Sequence, residues 1–115
     1  MFRYLLKTDG SEFEVSKRPV PKTDEKGVQR VDRATGLPVW VVEVTAFTDE
    51  ENGASVMAVS LASSSVPALR WRERVEVVDL EMIPWANKDR GGDLRQGVSF
   101  RASDIRPLQV YASAA

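Results

Sequence analysis

The sequence of 115 residues contains no cysteine and no histidine. Without cysteine there is no disulfide framework, no thiolate nucleophile and no thiolate metal site, and a reducing compartment is the natural location. Without histidine the chain lacks the usual general base at neutral pH and the commonest metal ligand. These absences predict a non-enzymatic protein that uses no cofactor and no metal ion.

Long apolar runs are also missing. No stretch approaches the roughly 20 residues that span a bilayer, and residues 1–7 are too short and too charged for the apolar part of a secretory signal. We therefore expect a cytoplasmic protein without a membrane partner.

Charge is nearly balanced in total but unevenly distributed along the chain. The formal net charge is −1, yet residues 41–69 carry four acidic side chains and no basic one, whereas residues 1–40 carry eight basic and six acidic side chains. Eleven of the sixteen cations are arginine, whose planar fork binds carboxylates and phosphates bidentately and stacks on rings. Positive charge can therefore collect on one face of the molecule.

Helical periodicity is scarce, whereas β-branched runs with a period of two recur between turn residues. The clearest predicted strand is 39–47, with Trp40, Val42 and Val44 on one face and Phe47 on the other. A turn at 49–53 and a return at 54–61 complete a β-hairpin. Further strands are predicted within residues 2–7, 12–20, 75–80 and 98–102, and residues 62–69 form a loop or one short helical turn. The polar segment 21–37 is predicted to be a long loop or a loose hairpin tip, and 83–97 to be a second polar, glycine-rich connection.

This order of elements predicts an all-β fold, a five-stranded antiparallel Greek-key barrel with at most one short helical turn. A chain of this length is enough for one domain with an ordinary core. We assign that domain to residues 1–110 and expect 111–115 to form a flexible tail.

The second half of the chain carries a family resemblance. L-R-W-R-E-R-V-E-V-V-D-L (69–80) is followed by a connection containing Trp85, Gly91 and Gly92, and then by G-V-S-F-R-A-S-D-I-R-P-L (97–108). This order resembles the end of bacterial single-stranded DNA-binding domains of the OB-fold class, although Arg72 and Glu73 stand where that family usually turns on a glycine. The chain also resembles small accessory proteins of actinobacterial plasmids and conjugative elements.

The resemblance implies where nucleic acid would bind. In an OB barrel, oligonucleotides cross the outer face of the second and third strands, between the first and fourth loops. The two loop regions are mildly positive, since residues 17–33 hold six cations against three anions and residues 84–106 hold five against three, although charged loops are often merely solvated. The candidate nucleic-acid-binding residues are Lys17, Arg18, Lys22, Arg30, Arg33, Phe47, Arg70, Trp71, Arg72, Trp85, Lys88, Arg90, Arg95 and Arg101.

The aromatic residues have alternative interpretations. Trp40 shares its strand face with Val42 and Val44, which favours a place in the core. Phe47 has the opposite parity and is free to stack on a base. Trp71 and Trp85 lie in connections beside cations, where each serves either as a stacking platform or as a plug for a barrel end.

The leading hypothesis is a non-enzymatic protein that binds single-stranded DNA with little sequence preference, accessory to replication or transfer of a mobile element. The alternative is a protein-interaction β-barrel, a subunit of a replication, conjugation or phage machine that does not contact nucleic acid. In that case Val39, Val41 and Phe47 form an apolar contact surface. Candidate partners are thus single-stranded DNA, replication or transfer proteins, and further copies of the chain as a homo-oligomer.

Overall fold

The computed structural model describes residues 2–108, which contain nine β-strands and no helix. The strands are β1 (Tyr4–Leu5), β2 (Glu12–Val15), β3 (Val20–Pro21), β4 (Val39–Asp49), β5 (Gly53–Ala62), β6 (Arg74–Val78), β7 (Glu81–Lys88), β8 (Leu94–Arg101) and β9 (Asp104–Pro107). The all-β prediction is confirmed, and residues 62–69 follow the loop alternative. Across residues 2–108 there is no helix with the length and apolarity to cross a membrane. The predicted tail at 111–115 lies outside the described residues.

The strands form one curled sheet in the order β1-β7-β8-β5-β4-β2-β6-β9. The short strand β3 lies outside this order and pairs with Trp40 and Val41 of β4, whereas β2 pairs with residues 44–47 of the same strand. Every pairing is antiparallel except that of β5 with β8, which is parallel. Between β8 and β9 the chain crosses from β5 to β6. The amide of Ala102 donates to Ser60 O of β5 and the amide of Ser103 donates to Val78 O of β6, and both distances are 3.0 Å. The chain therefore passes from β8, which pairs with β5, into β9, which pairs with β6.

The core lies inside this curl and is built from alternate positions of the strands. Val15, Val42, Val44 and Val59 have no exposed surface. Phe13, Leu61, Leu69, Val75, Val77, Leu80, Ala102 and Ile105 complete the buried cluster. Trp40 is only half-buried, and its Nε1 donates to Ser63 O over 3.0 Å. The indole thus lies at the margin of the core rather than in its centre.

Residues 22–38 form an ordered flap between β3 and β4. The Asp24 carboxylate accepts the amides of Lys26 and Val28 and closes the tip of the flap. Its stem is joined by the amide of Arg30, which donates to Lys22 O over 2.7 Å. The sequence interpretation left a loop or a loose hairpin tip open, and the hydrogen bonds identify a short hairpin.

The segment 83–97 was predicted to be a polar connection, and this is wrong. Strands β7 and β8 pair over their full length, from Glu81 with Arg101 to Lys88 with Leu94, and form a hairpin that we call the arm. Asp89 accepts the amides of Gly91 and Asp93, which closes the turn at its tip. Pro84 is tolerated here because β7 pairs with β1 only at Glu81 and Met82, so its outer edge is free further along.

Arg72 adopts a backbone conformation that is typical of glycine. It has φ of 69°, in the left-handed region that favours glycine. Its amide donates to Val15 O over 2.8 Å, and its guanidinium pairs with Glu14. Hydrogen bonding and an ion pair thus accompany a backbone conformation that arginine rarely adopts.

Candidate nucleic-acid interface

A half-open cleft of about 590 Å³ lies where the flap, β5 and the base of the arm meet. Its cationic lining comes from three distant parts of the chain: Arg3; Lys22, Arg30 and Arg33; and Arg101. Among the described residues of the lining, Asp32 is the only acidic one. The curl of the sheet therefore brings together cations from both segments that the sequence marked as positive.

Lys22 is the central cation of the cleft. It is half-buried, and its Nζ donates to the Ser60 hydroxyl over 3.0 Å. Burial lowers its pKa, and the neighbouring charges of Arg30 and Arg101 lower it further. Within residues 2–108 no carboxylate lies at ion-pair distance from Lys22, Arg30 or Arg33. The cleft thus holds positive charge that the described residues leave unneutralised.

Asp32 fixes the opposite wall of the cleft. It is 8% exposed, and its carboxylate accepts hydrogen bonds from the amide and hydroxyl of Thr35 and from Arg101 Nη2, the last over 2.9 Å. The Thr35 hydroxyl and the Arg101 guanidinium keep the pKa of Asp32 below its ordinary value, against the opposing effect of burial. Its role is positional, because it ties the flap to β8 and aims Arg101 into the cleft.

Arg3 is a member of the cleft that sequence reasoning missed. It reaches the site because Tyr4 pairs with Met82, which places the start of the chain beside the arm. Its Nη1 lies 3.7 Å from Glu81 Oε2, an oxygen that is buried and accepts no hydrogen bond from the described residues. Nothing local in the sequence indicates a pairing over so long a separation.

One face of the arm continues the cleft. Ile83, Ser99 and Arg101 line the cleft, and strand alternation places Trp85 and Arg95 further out on the same face. Trp85 is 39% exposed.

The Trp85 indole lies against Gly97 on the facing strand. A Cβ at Gly97 would come within 2.9 Å of Trp85 Cζ2. The missing side chain therefore lets the ring lie against the backbone with part of its surface free. Trp85 covers a glycine of the arm and does not plug the core.

The remaining predicted residues lie elsewhere. Phe47 is 41% exposed and borders a separate groove of about 540 Å³, whose described lining includes Glu12, Asp49 and Glu50 and no cation. Glu12 pairs with Arg74 over a distance of 3.7 Å, and hydrogen bonds from Asn52 hold the pKa of Asp49 below its ordinary value. The structure does not bring Phe47 to the cationic cleft.

Arg70, Trp71 and Arg72 form a third location beside β2. Trp71 is 64% exposed, and the Arg72 guanidinium carbon lies 5.8 Å from the centre of its ring. None of the three lines the cleft. Lys17 pairs with Glu43, whereas Arg18 is exposed before β3 and Lys88 and Arg90 lie at the tip of the arm.

Across residues 2–108 there is no cluster of three or more acidic side chains arranged to hold a metal ion. No protein-family model matches the chain, and no curated protein matches its sequence. The candidate site therefore depends on its own geometry and charge.

Proposed function

We propose that this protein binds single-stranded DNA with little sequence preference, as an accessory in the replication or transfer of a mobile element. The observation that carries the proposal is the meeting of Lys22, Arg30 and Arg33 with Arg101 in one cleft. Three of these cations have no carboxylate partner within residues 2–108. A phosphate backbone is the polyanion that such a cleft suits.

The binding mechanism combines charge and stacking. Phosphates bind at the cleft, where the lining cations neutralise them and release their counterions. Beyond the cleft a base stacks on the free surface of Trp85. Each stacked base contributes about 1 to 3 kcal/mol regardless of its identity, because every base has a π face. A duplex does not offer its base faces in this way, which favours a single strand.

The fold supports the same proposal if the sheet is an OB-type barrel. In that interpretation β2, β4, β5 and β6 are the first four strands, and β8 with β9 is the fifth. The flap then lies in the loop between the first and second strands, and the arm belongs to the loop between the fourth and fifth. OB folds bind oligonucleotides between those two loops, across the second and third strands. The cleft occupies the corresponding position.

Charge decides the direction in which the strand leaves the cleft. Along the outer face of β4 and β5 the next acidic group is Glu43, which pairs with Lys17, and the turn beyond Phe47 carries Asp49, Glu50 and Glu51. The arm offers the exposed ring of Trp85 instead, and its cation Arg95 pairs with Asp89 at the tip. The strand therefore follows the arm, because the acidic turn repels phosphates.

Titration with a labelled oligo-dT, followed by fluorescence anisotropy and by tryptophan emission, tests the proposal. We expect saturable binding that weakens as salt is raised, together with quenching that is lost in Trp85→Phe and retained in Trp71→Phe. Absence of binding at low salt would refute the proposal. Equal binding of a duplex of the same length would refute the single-strand preference.

The groove beside Phe47 favours a second candidate, a protein-interaction role. An exposed ring framed by Glu12, Asp49 and Glu50 suits a basic protein segment with an apolar anchor. The predicted contact surface is smaller than expected, because Val39 and Val41 are half-buried and β3 pairs beside them. Binding of a replication or transfer protein that is lost in Phe47→Ser and kept in Lys22→Met would favour this role over DNA binding.

A further inference from the structure

The cleft is deeper and more varied than a surface that only follows a phosphate backbone requires. Its volume of about 590 Å³ lies within the range of small-molecule sites, roughly 300 to 1,000 Å³. Binding of a phosphate backbone alone requires only cations on an open surface, whereas this cleft also has apolar residues in its lining. That lining consists of Val31, Ala34, Val39, Leu61, Ala62, Ile83 and Phe100.

Strands β5 and β8 each contribute both polar or cationic residues and apolar residues to the lining of the cleft. On β5, Ser60 accepts the hydrogen bond from Lys22, while its neighbours Leu61 and Ala62 belong to the apolar part. On β8, Phe100 is followed by Arg101, which the buried Asp32 holds in place. A ligand seated here contacts a cationic part and an apolar part together.

We propose that this cleft seats one complete nucleotide of the bound strand, with its phosphate on Lys22, Arg30 and Arg101 and its base on the apolar lining. This inference rests on the proposed function, since it takes the ligand to be nucleic acid. It goes further by assigning a mononucleotide-sized site. A free nucleoside monophosphate is the smallest molecule that carries both required groups, so it should compete with the strand.

The test compares dTMP, thymidine and inorganic phosphate as competitors of a labelled oligo-dT, and as direct ligands in amide NMR spectra of the full chain. We expect dTMP to displace the oligonucleotide at a concentration about tenfold lower than either thymidine or phosphate, because only dTMP uses both parts of the cleft. Its shifts should centre on residues 22–33, 60–62 and 99–101.

Two pairs of variants separate the two parts of the cleft. Lys22→Met should weaken dTMP binding, whereas Lys26→Met, on the same flap outside the cleft lining, should not. Val39→Thr adds a hydroxyl to the apolar lining at nearly constant size and should weaken dTMP while leaving phosphate unchanged. Val56→Thr, exposed on β5, is its control. Amide spectra of each variant check that the fold is intact.

The outcomes distinguish this inference from the proposed function. If oligo-dT binds but excess dTMP does not displace it, or phosphate displaces it equally well, the nucleotide site is refuted and strand binding stands. If dTMP binds with the expected variant pattern but oligo-dT binds no tighter, the site stands and strand binding is refuted. If neither ligand binds, both are refuted.

Discussion

At the scale of single residues, Lys22 is the side chain that the fold explains least and the proposed function explains most. Burial and the charges of Arg30 and Arg101 lower its pKa, so its charged form costs folding free energy in the unbound protein. The cost is greatest at pH values below that lowered pKa. Lys22 therefore does not stabilise the unbound fold through its charge, and under the proposed function a bound phosphate offsets the cost.

The first prediction concerns the stability of Lys22→Met. The variant loses the hydrogen bond to Ser60 but also loses the half-buried charge, so its free energy of unfolding should equal or exceed that of the parent. Urea denaturation at pH 7 measures it, with Lys26→Met as the exposed control. A loss of more than about 1 kcal/mol, the net value of an ordinary hydrogen bond, would show that Lys22 is structural.

The second prediction concerns Gly97→Ala. The new methyl group meets the Trp85 ring at 2.9 Å and must displace it, whereas Gly91→Ala in the arm turn adds a methyl 3.4 Å from Asp89 Oδ1 and 4.0 Å from Asp93 Oδ2 and does not reach Trp85. Gly97→Ala should weaken oligo-dT binding by a large part of one stacked base, about 1 to 3 kcal/mol, and shift the tryptophan emission. Anisotropy titration of both variants tests this. Equal affinity of the two variants would exclude Trp85 as a platform.

At the scale of elements, the arm is the most weakly supported part of the sheet. Beyond Met82 and Phe100 its two strands pair only with each other, and a two-stranded hairpin is marginally stable by itself. Strands β4 and β5 pair over nearly their full length and carry core valines.

The third prediction follows from this contrast. In hydrogen exchange, amides of 84–98 should exchange faster than those of 40–46, because local opening of the arm exposes little apolar surface. Oligo-dT should slow exchange in the arm and in 22–33 but leave the acidic turn at 49–53 unchanged. If oligo-dT slowed amide exchange at 49–53 but not in the arm, the proposed path of the bound DNA along the arm would be contradicted.

The accuracy of sequence prediction differed between elements for physical reasons. The strand at 39–47 was predicted well, because consecutive β-branched residues favour a pleated strand whatever surrounds them. Gly91 and Gly92 do form the turn of the arm, and the arm was missed because Pro84 and Gly97 are turn signals that lie inside its strands. Their effect is offset by pairings and by the ring of Trp85, which only the folded chain supplies.

The site was partly predictable for similar reasons. Lys22, Arg30, Arg33 and Arg101 were chosen as candidates from the local excess of positive charge. Arg3 and Ser60 were missed because long-range strand pairing brings them to the cleft. The same pairing left Phe47 and Trp71 outside it, although local composition alone had favoured both.

At the scale of the whole molecule, a net charge near zero conceals two regions of opposite sign. The cleft collects cations, and the turn between β4 and β5 collects carboxylates. Such a separation orients a polyanion as it approaches and limits binding to one side. Bulk composition therefore says little about the partner of this protein.

The fourth prediction is a pH dependence of binding. A phosphate favours charged Lys22, so affinity for oligo-dT should be constant below the lowered pKa and fall as pH rises through it. The fall should begin below the ordinary lysine value of about 10.4. Lys22→Arg, which stays charged, should remove it. Affinities measured between pH 7 and pH 10 test this, and an identical fall in both proteins would assign it to another group.

The most direct test of the central claim, that the cleft neutralises phosphates, is the salt dependence of oligo-dT affinity in two charge-matched variants. In the first, Lys22, Arg30 and Arg33 are all replaced by Met. In the second, Lys26, Arg74 and Arg106, which lie outside the cleft lining, are replaced in the same way. We expect the slope of log K against log salt to become shallower by roughly 2 in the first variant, about 0.7 for each phosphate that is no longer neutralised, and to stay unchanged in the second. Equal slopes in the two variants would contradict the account.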